Sequence, residues 1–144
     1  MLKGIDPLLT PELLRLLAEM GHGDVIAVVD RNFPAHSSAR PVVEIPGADV
    51  TAVLSAVLTL MPVDQFQDPA AWHMLEDGGG DGPAAAEVNA ALKNGDGRVV
   101  GYAGMPRPDF YSAARQAYCV VRTGDNRPYA CFLVAKGVVA GTST

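Results

Sequence analysis

A histidine between two glycines, in Gly21-His22-Gly23-Asp24, is followed at once by the apolar run Val25-Ile26-Ala27-Val28-Val29 and a carboxylate, Asp30. Imidazole exchanges protons near neutral pH, and a carboxylate accepts hydrogen bonds from ligand hydroxyls. Flanking glycines permit positive φ and leave room for a ligand close to the main chain. The segment therefore offers a proton-transfer group and an acceptor near one prospective pocket. The structural alternative for His22 is capping the last carbonyls of a preceding helix. The negative end of such a helix favours a protonated ring, which suits a proton donor. Asp24 reads as a ligand of backbone amides in the turn. Asp30 stands at the carboxyl end of a strand, where ligands of α/β sheets collect. Its structural alternative is to cap the loop that follows.

Other candidates are more scattered. Arg107 and Tyr111 are four apart, so on a helix they share a face. A guanidinium and a phenol suit a neutral polyhydroxyl ligand or an anion; the alternative is a surface pair. Tyr129 follows Pro128 and opens a final strand, either as a ligand contact or as an aromatic plug at a sheet edge. Asp64, just after Pro62, reads by itself as a surface carboxylate. His36 lies in a polar loop and reads as solvated, and His73 has no clear partner. Gly78-Gly79-Gly80-Asp81-Gly82 follows no strong strand and lacks a Gly-Lys-Ser/Thr ending, so a phosphate loop is not expected. No serine or cysteine triad and no dinucleotide fingerprint is present.

The elements that must position these residues follow from pattern. Thr10-Pro11-Glu12 starts a helix, with a capping hydroxyl and a proline at the first helical position. Leu13, Leu16, Leu17 and Met20 form its apolar face and Gly21 stops it. Strands are expected at 25–30, 42–45, 72–75, 98–103, 118–122 and 130–135. Helices are expected at 50–61, from Pro83 to Lys93 with a stop at Asn94-Gly95, and at 108–117. The helix at 50–61 is apolar nearly all round, so it is buried on most sides or meets another subunit. Residues 31–40 and 77–82 read as loops, the second flexible. The alternation predicts an α/β fold: a single domain over residues 1–144, layered α/β/α around a mixed, mainly parallel sheet. The short turn after residue 122 predicts that the last two strands pair antiparallel.

Composition narrows the function. The chain has 144 residues, 49% of them apolar and 19% charged, with a net charge of −5. No basic run provides a nucleic-acid footprint, and no apolar stretch approaches the ~20 residues of a membrane span. Residues 1–20 carry Asp6, Glu12, Arg15 and Glu19 and read as structure instead of a signal peptide. The two cysteines, Cys119 and Cys131, lie in apolar runs. That fits a reducing cytoplasm, and the ligands for a zinc site are too few.

One set of motifs recurs in order along nearly the whole chain. It begins with Met1-Leu2-Lys3-Gly4-Ile5, Leu13-Leu14 and Leu17-Ala18-Glu19-Met20-Gly21-His22-Gly23-Asp24. It continues with Asp30, Asn32-Phe33-Pro34-Ala35-His36-Ser37, Arg107, Phe110-Tyr111, Ala114-Arg115 and Ala117. It closes with Val120-Val121, Thr123-Gly124-Asp125, Tyr129 and Lys136-Gly137-Val138. In these residues the chain resembles the L-fucose mutarotase and D-ribose pyranase family. The resemblance implies a ribose pyranase-like fold and an enzyme that interconverts anomers of a monosaccharide, L-fucose or a related sugar, without a cofactor or metal. It implies that His22 is the proton donor, and that Asp30, Arg107 and the segment Tyr129-Ala130-Cys131 contact sugar. Asp64 and Tyr111 match further catalytic positions of the fucose branch, and either is the partner in proton transfer. It also implies a ring-like homo-oligomer, a decamer in the family, with active sites where subunits meet. Arg107, Tyr111 and Phe33-Pro34-Ala35-His36-Ser37 favour the fucose branch over the ribose pyranases, which share the ring-opening chemistry. Three departures stand out. Cys131 replaces the family's asparagine, Val25 replaces a common glutamate, and residues 77–98 match poorly. The change at Cys131 keeps a non-catalytic sugar-binding oligomer as the rival reading.

Overall fold

The computed structural model describes residues 1–141. Thr10 Oγ1 accepts the Leu13 N–H at 3.2 Å, and Pro11 opens helix α1 (Pro11–Glu19), which buries Leu13, Leu16 and Leu17. Met20 already has extended backbone, so the helix ends just before the Gly21 turn. Strand β1 (Val25–Val29) follows, then a loop containing a single 3-10 turn at His36–Ser38, then β2 (Val42–Ile45). Asp49 caps helix α2 (Val50–Leu58) by accepting the Ala52 N–H at 2.8 Å. Strand β3 (Ala71–Met74), helix α3 (Ala85–Asp96), strand β4 (Tyr102–Met105) and helix α4 (Arg107–Ala114) come next. Strands β5 (Cys119–Thr123) and β6 (Phe132–Ala135) complete the order.

The six strands form one sheet in the order β2-β5-β1-β6-β3-β4. Only β6 runs against its neighbours; β2, β5 and β1 are parallel to one another, as are β3 and β4. The sheet is therefore mixed and mainly parallel, as expected. The pairing expected between the last two strands does not form. β6 pairs with β1 and β3 instead, and β5 lies on the far side of β1. The eight residues from Gly124 to Cys131 are too many for a tight two-residue hairpin. They are enough to step over one intervening strand, two spacings of about 4.8 Å.

Period-2 alternation sorts β1 between two layers. Ile26 and Val28 join a core with α1, α2 and α3, including Leu13, Val53, Leu54 and Leu92. Ala27 and Val29 face the other way, onto Phe33, Phe110 and Ala114. The result is the α/β/α layering anticipated from the alternation. Helix α2 is buried in its own chain, between the sheet and α3, which explains its apolar composition without a second subunit.

Several boundaries move for local reasons. Helix α3 begins at Ala85, not Pro83, and runs through Asn94-Gly95 to a left-handed stop at Gly97 (φ 74°). A Cβ on Gly95 would lie 2.7 Å from Leu58 Cβ, so this glycine serves the close approach of α2 and α3 instead of ending the helix. Strand β4 begins four residues later than expected, because Arg98 is turned to Asp96 and to the carbonyls of Val63 and Asp64. Helix α2 ends at Leu58, helix α4 spans 107–114, and β6 starts at Phe132 instead of Ala130. No described helix is long and apolar enough to cross a membrane.

Candidate active site

The amino end of β1 carries a histidine–carboxylate pair. Lys136, not His22, caps α1: its Nζ donates to the carbonyls of Leu17 and Met20 at 2.8 and 2.5 Å. Asp24 accepts the Gly21 N–H at 2.8 Å and pins the turn, as its position suggested. His22 is thereby freed to face Asp64, with Nε2 to Oδ1 at 2.9 Å. Asp64 is not the surface carboxylate its isolated position suggested; it is 2% exposed. The same oxygen accepts the Phe66 N–H at 3.0 Å, and Oδ2 accepts from Gln67 Nε2 at 2.7 Å. Burial alone would raise the Asp64 pKa, but these bonds and His22 outweigh it and hold the carboxyl below its ordinary range. An ionised carboxylate only accepts, so Nε2 of His22 carries the proton and Nδ1 is the position free to work. The His22 side chain remains 47% exposed, with the Phe66 ring edge-on at 5.2 Å. Phe66 itself is 72% exposed.

The carboxyl ends of β1, β3 and β4 frame a cleft of about 380 Å³. Asp30 lines it; its carboxylate accepts the Asn32 N–H at 2.9 Å and the Cys131 thiol at 3.4 Å, and its backbone carbonyl accepts the Phe33 N–H at 3.4 Å. It therefore caps the loop and faces the cleft at once. Burial raises its pKa, partly offset by the bonds from Asn32, Cys131 and Phe33. Burial first, and then the Asp30 charge, push the Cys131 thiol well above its ordinary value. Arg107 opens α4 beneath the Tyr111 ring, its guanidinium carbon 5.8 Å from the ring centroid, which realises the shared helix face. Tyr129 has left-handed backbone (φ 58°), uncommon outside glycine, and its hydroxyl accepts the Asp77 N–H at 3.4 Å.

Sequence reasoning passed over Asp77. Its carboxylate accepts twice from Arg107, Nε at 2.9 Å and Nη2 at 3.4 Å. That pairing holds its carboxyl below the usual range and raises Arg107 further. Its only sequence signal was its place at the start of a glycine-rich segment. The segment is a closed turn, with Gly79 N–H to Glu76 O, Glu76 N–H to Gly80 O and a bridge between Leu75 and Asp81.

The structure thus brings His22 and Asp64 together, and Asp30, Arg107, Tyr111, Tyr129 and Cys131 together, but the two groups lie at opposite ends of β1. The expectation that His22 and Asp30 share one pocket is overturned within a single chain. A five-residue strand spans about 15 Å, too far for one monosaccharide to touch both ends. Ala130 turns into the core on the helical face of the sheet. His36 pairs with the exposed Glu44 at 3.2 Å, and His73 is buried against Tyr102 with Nδ1 unpartnered. Among the described residues, no group of three or more His, Cys, Asp or Glu side chains could hold a metal ion.

Known proteins share this fold. The model of the RbsD / FucU transport protein family matches residues 3–139. An L-fucose mutarotase of Haemophilus influenzae is 38% identical over 140 residues, covering 96% of this chain and 97% of its own. The crystal structure of the fucose mutarotase of Streptococcus pneumoniae in complex with L-fucose is 34% identical, with a TM-score of 0.88 over 96% of this chain and 100% of that one. FucU of Bifidobacterium longum is 36% identical, with a TM-score of 0.90 over the same shares. The match takes in the histidine turn, every strand of the sheet and the cleft at its carboxyl end: the chain belongs to the RbsD/FucU family.

Proposed function

We propose that the protein is a sugar mutarotase that interconverts the α and β anomers of L-fucose or a close relative. The observation that carries this reading is the pairing of His22 with a buried, ionised Asp64, in a chain whose other end holds a polar cleft of monosaccharide size. The named relatives support it, and one of them binds L-fucose.

Mutarotation is proton transfer alone. Protonated His22 gives its Nδ1 proton to the ring oxygen while the anomeric hydroxyl loses its own. The bond between the anomeric carbon and the ring oxygen breaks, leaving an open-chain aldehyde. Rotation about one bond and closure on the other face reverse both transfers. Tyr111 is the second proton-transfer group: its oxygen takes the anomeric proton as its own proton passes to water, so no phenoxide is required. Asp64 is a positioning residue that fixes the tautomer and angle of His22. Asp30 and Arg107 hold sugar hydroxyls, and the exposed face of Tyr129 and the Cys131 thiol complete the cleft.

His22 and the cleft act together only if copies of the chain meet, the amino end of one β1 facing the carboxyl end of another. The exposure of His22 and Phe66 and the missing acid in the cleft support such a shared site. A closed ring is the assembly in which every such contact is used, and a decamer is the size the family resemblance implies. A reducing, cytoplasmic setting suits the two unpaired, buried thiols.

Saturation-transfer NMR tests the activity directly. Addition of the protein is expected to speed α/β exchange of L-fucose well above the spontaneous rate. Acceleration of D-ribose pyranose–furanose exchange alone would make the protein a pyranase. A folded oligomer that accelerates neither would be a binding protein.

A further inference from the structure

Arg107 is the only cation among the residues that line the cleft, yet Asp77 already takes its Nε–H and one N–H of Nη2. A carboxylate or phosphate on a ligand binds a guanidinium through that same two-pronged face. The Nη1/Nη2 edge of Arg107 stays free, but its charge is already matched by Asp77, so that edge suits a neutral hydroxyl better than a second anion. Asp77 is also held from behind, since its own N–H donates to Tyr129 and its turn is closed by the Glu76–Gly80 and Leu75–Asp81 contacts. Asp30 supplies a second carboxylate to the cleft lining. The cleft thus carries two carboxylates against one guanidinium.

We propose that Asp77 is a specificity residue that restricts the cleft to uncharged sugars, by matching the charge of Arg107 and occupying its Nε/Nη2 fork. Sugars bearing a carboxylate or a phosphate are disfavoured twice: the Nε/Nη2 fork is taken and its charge matched, and they face two carboxylates. The reading rests on the mutarotase proposal only in taking the ligand to be a sugar. The reaction that supplies this substrate must therefore release a free, unphosphorylated monosaccharide.

The test uses inorganic phosphate, small enough to reach the guanidinium whatever the shape of the sugar subsite. Phosphorus NMR line broadening is followed with the wild type, Asp77→Asn, Asp77→Glu and the double variant Asp77→Asn with Arg107→Ala. Asp77→Asn is expected to tighten phosphate binding at least ~10-fold, since a charge-assisted pair is worth about 1.5–3 kcal/mol. Asp77→Glu keeps the charge and is expected to behave as the wild type, and the double variant loses the gain. Phosphate binding unchanged by Asp77→Asn in a folded protein overturns the proposal, as does a gain that survives removal of Arg107. Fucose exchange by the wild type is measured alongside. Its absence would overturn the mutarotase reading while leaving the phosphate result to decide the role of Asp77.

Discussion

The two ends of β1 carry different chemistry. At the amino end a histidine is oriented by a buried carboxylate, but its side chain is 47% exposed to solvent. At the carboxyl end a polar cleft is walled by Asp30, Arg107 and Tyr111, but no described imidazole lies in it. One end offers a group that can move a proton and the other groups that can hold hydroxyls. Under the proposed reading the chemistry is a property of the assembly, because a strand fixes the distance between its ends more rigidly than any loop motion could shorten it.

The largest expected effect breaks the amino half. Changing His22→Ala is expected to reduce the acceleration of fucose exchange by about 10²–10⁴-fold, the range for a positioned acid or base, with circular dichroism and oligomer size unchanged. Near-wild-type exchange would end the assignment. The comparison itself is sharpened by co-expressing His22→Ala chains with Arg107→Ala chains. If each site draws one half from each of two subunits, random mixing leaves about a quarter of the sites with both halves intact. If each site belongs to one chain, the mixture is as inactive as its components.

Much of this arrangement was legible in the sequence where the signal was local. Gly21-His22-Gly23, the apolar run into Asp30 and the four-residue spacing of Arg107 and Tyr111 each carry their meaning within a few residues. Asp64 did not, because its burial depends on His22, 42 residues away, and on the fold of 62–67 around it. Asp77 was hidden in a glycine-rich turn whose partner Arg107 is 30 residues distant. Nothing in Pro128-Tyr129 announces a left-handed tyrosine. The layers were readable from alternation, but the insertion of β6 between β1 and β3 was not. A connection of eight residues permits either neighbour, and the packing of both faces decides between them.

Asp64→Asn is a milder break of the same half. It keeps the volume but removes the charge that fixes Nε2–H of His22, and is expected to lower kcat about 10–100-fold with little change in KM, less than loss of the acid itself. Stability gives an independent reading. The folded Asp64 titrates below its ordinary value of 3.8, so the unfolded chain binds more protons in that window. Its contribution is complete above 3.8 and fades as pH falls through the lower folded value. Acid unfolding curves of wild type and Asp64→Asn are therefore expected to converge below that point.

At the other end the sign reverses. Asp30 is raised by burial, so the folded state holds the extra proton and stability falls as pH rises through the window above 3.8. Asp30→Asn is expected to raise the melting temperature by a few degrees at neutral pH and to raise KM for fucose about 10-fold, through loss of a charged acceptor. A fall in both stability and affinity would mean that Asp30 serves the loop first and the sugar second.

The smallest expected effect concerns Cys131. Its thiol is buried and gives Asp30 one weak hydrogen bond at 3.4 Å, where the family resemblance places an amide. An asparagine would supply a stronger donor to Asp30 and an acceptor for the sugar. Its extra atoms must fit against Asp30 and the start of β6 without disturbing either. Cys131→Asn is therefore expected to lower KM for L-fucose by about 3-fold, roughly half of one net hydrogen bond, with kcat nearly constant. A gain of two orders of magnitude in rate would show instead that the wild-type cleft is an impaired catalyst. The thiol would then be the feature that separates this chain from a fast fucose mutarotase, and other neutral sugars would be the next substrates to try on the unchanged protein.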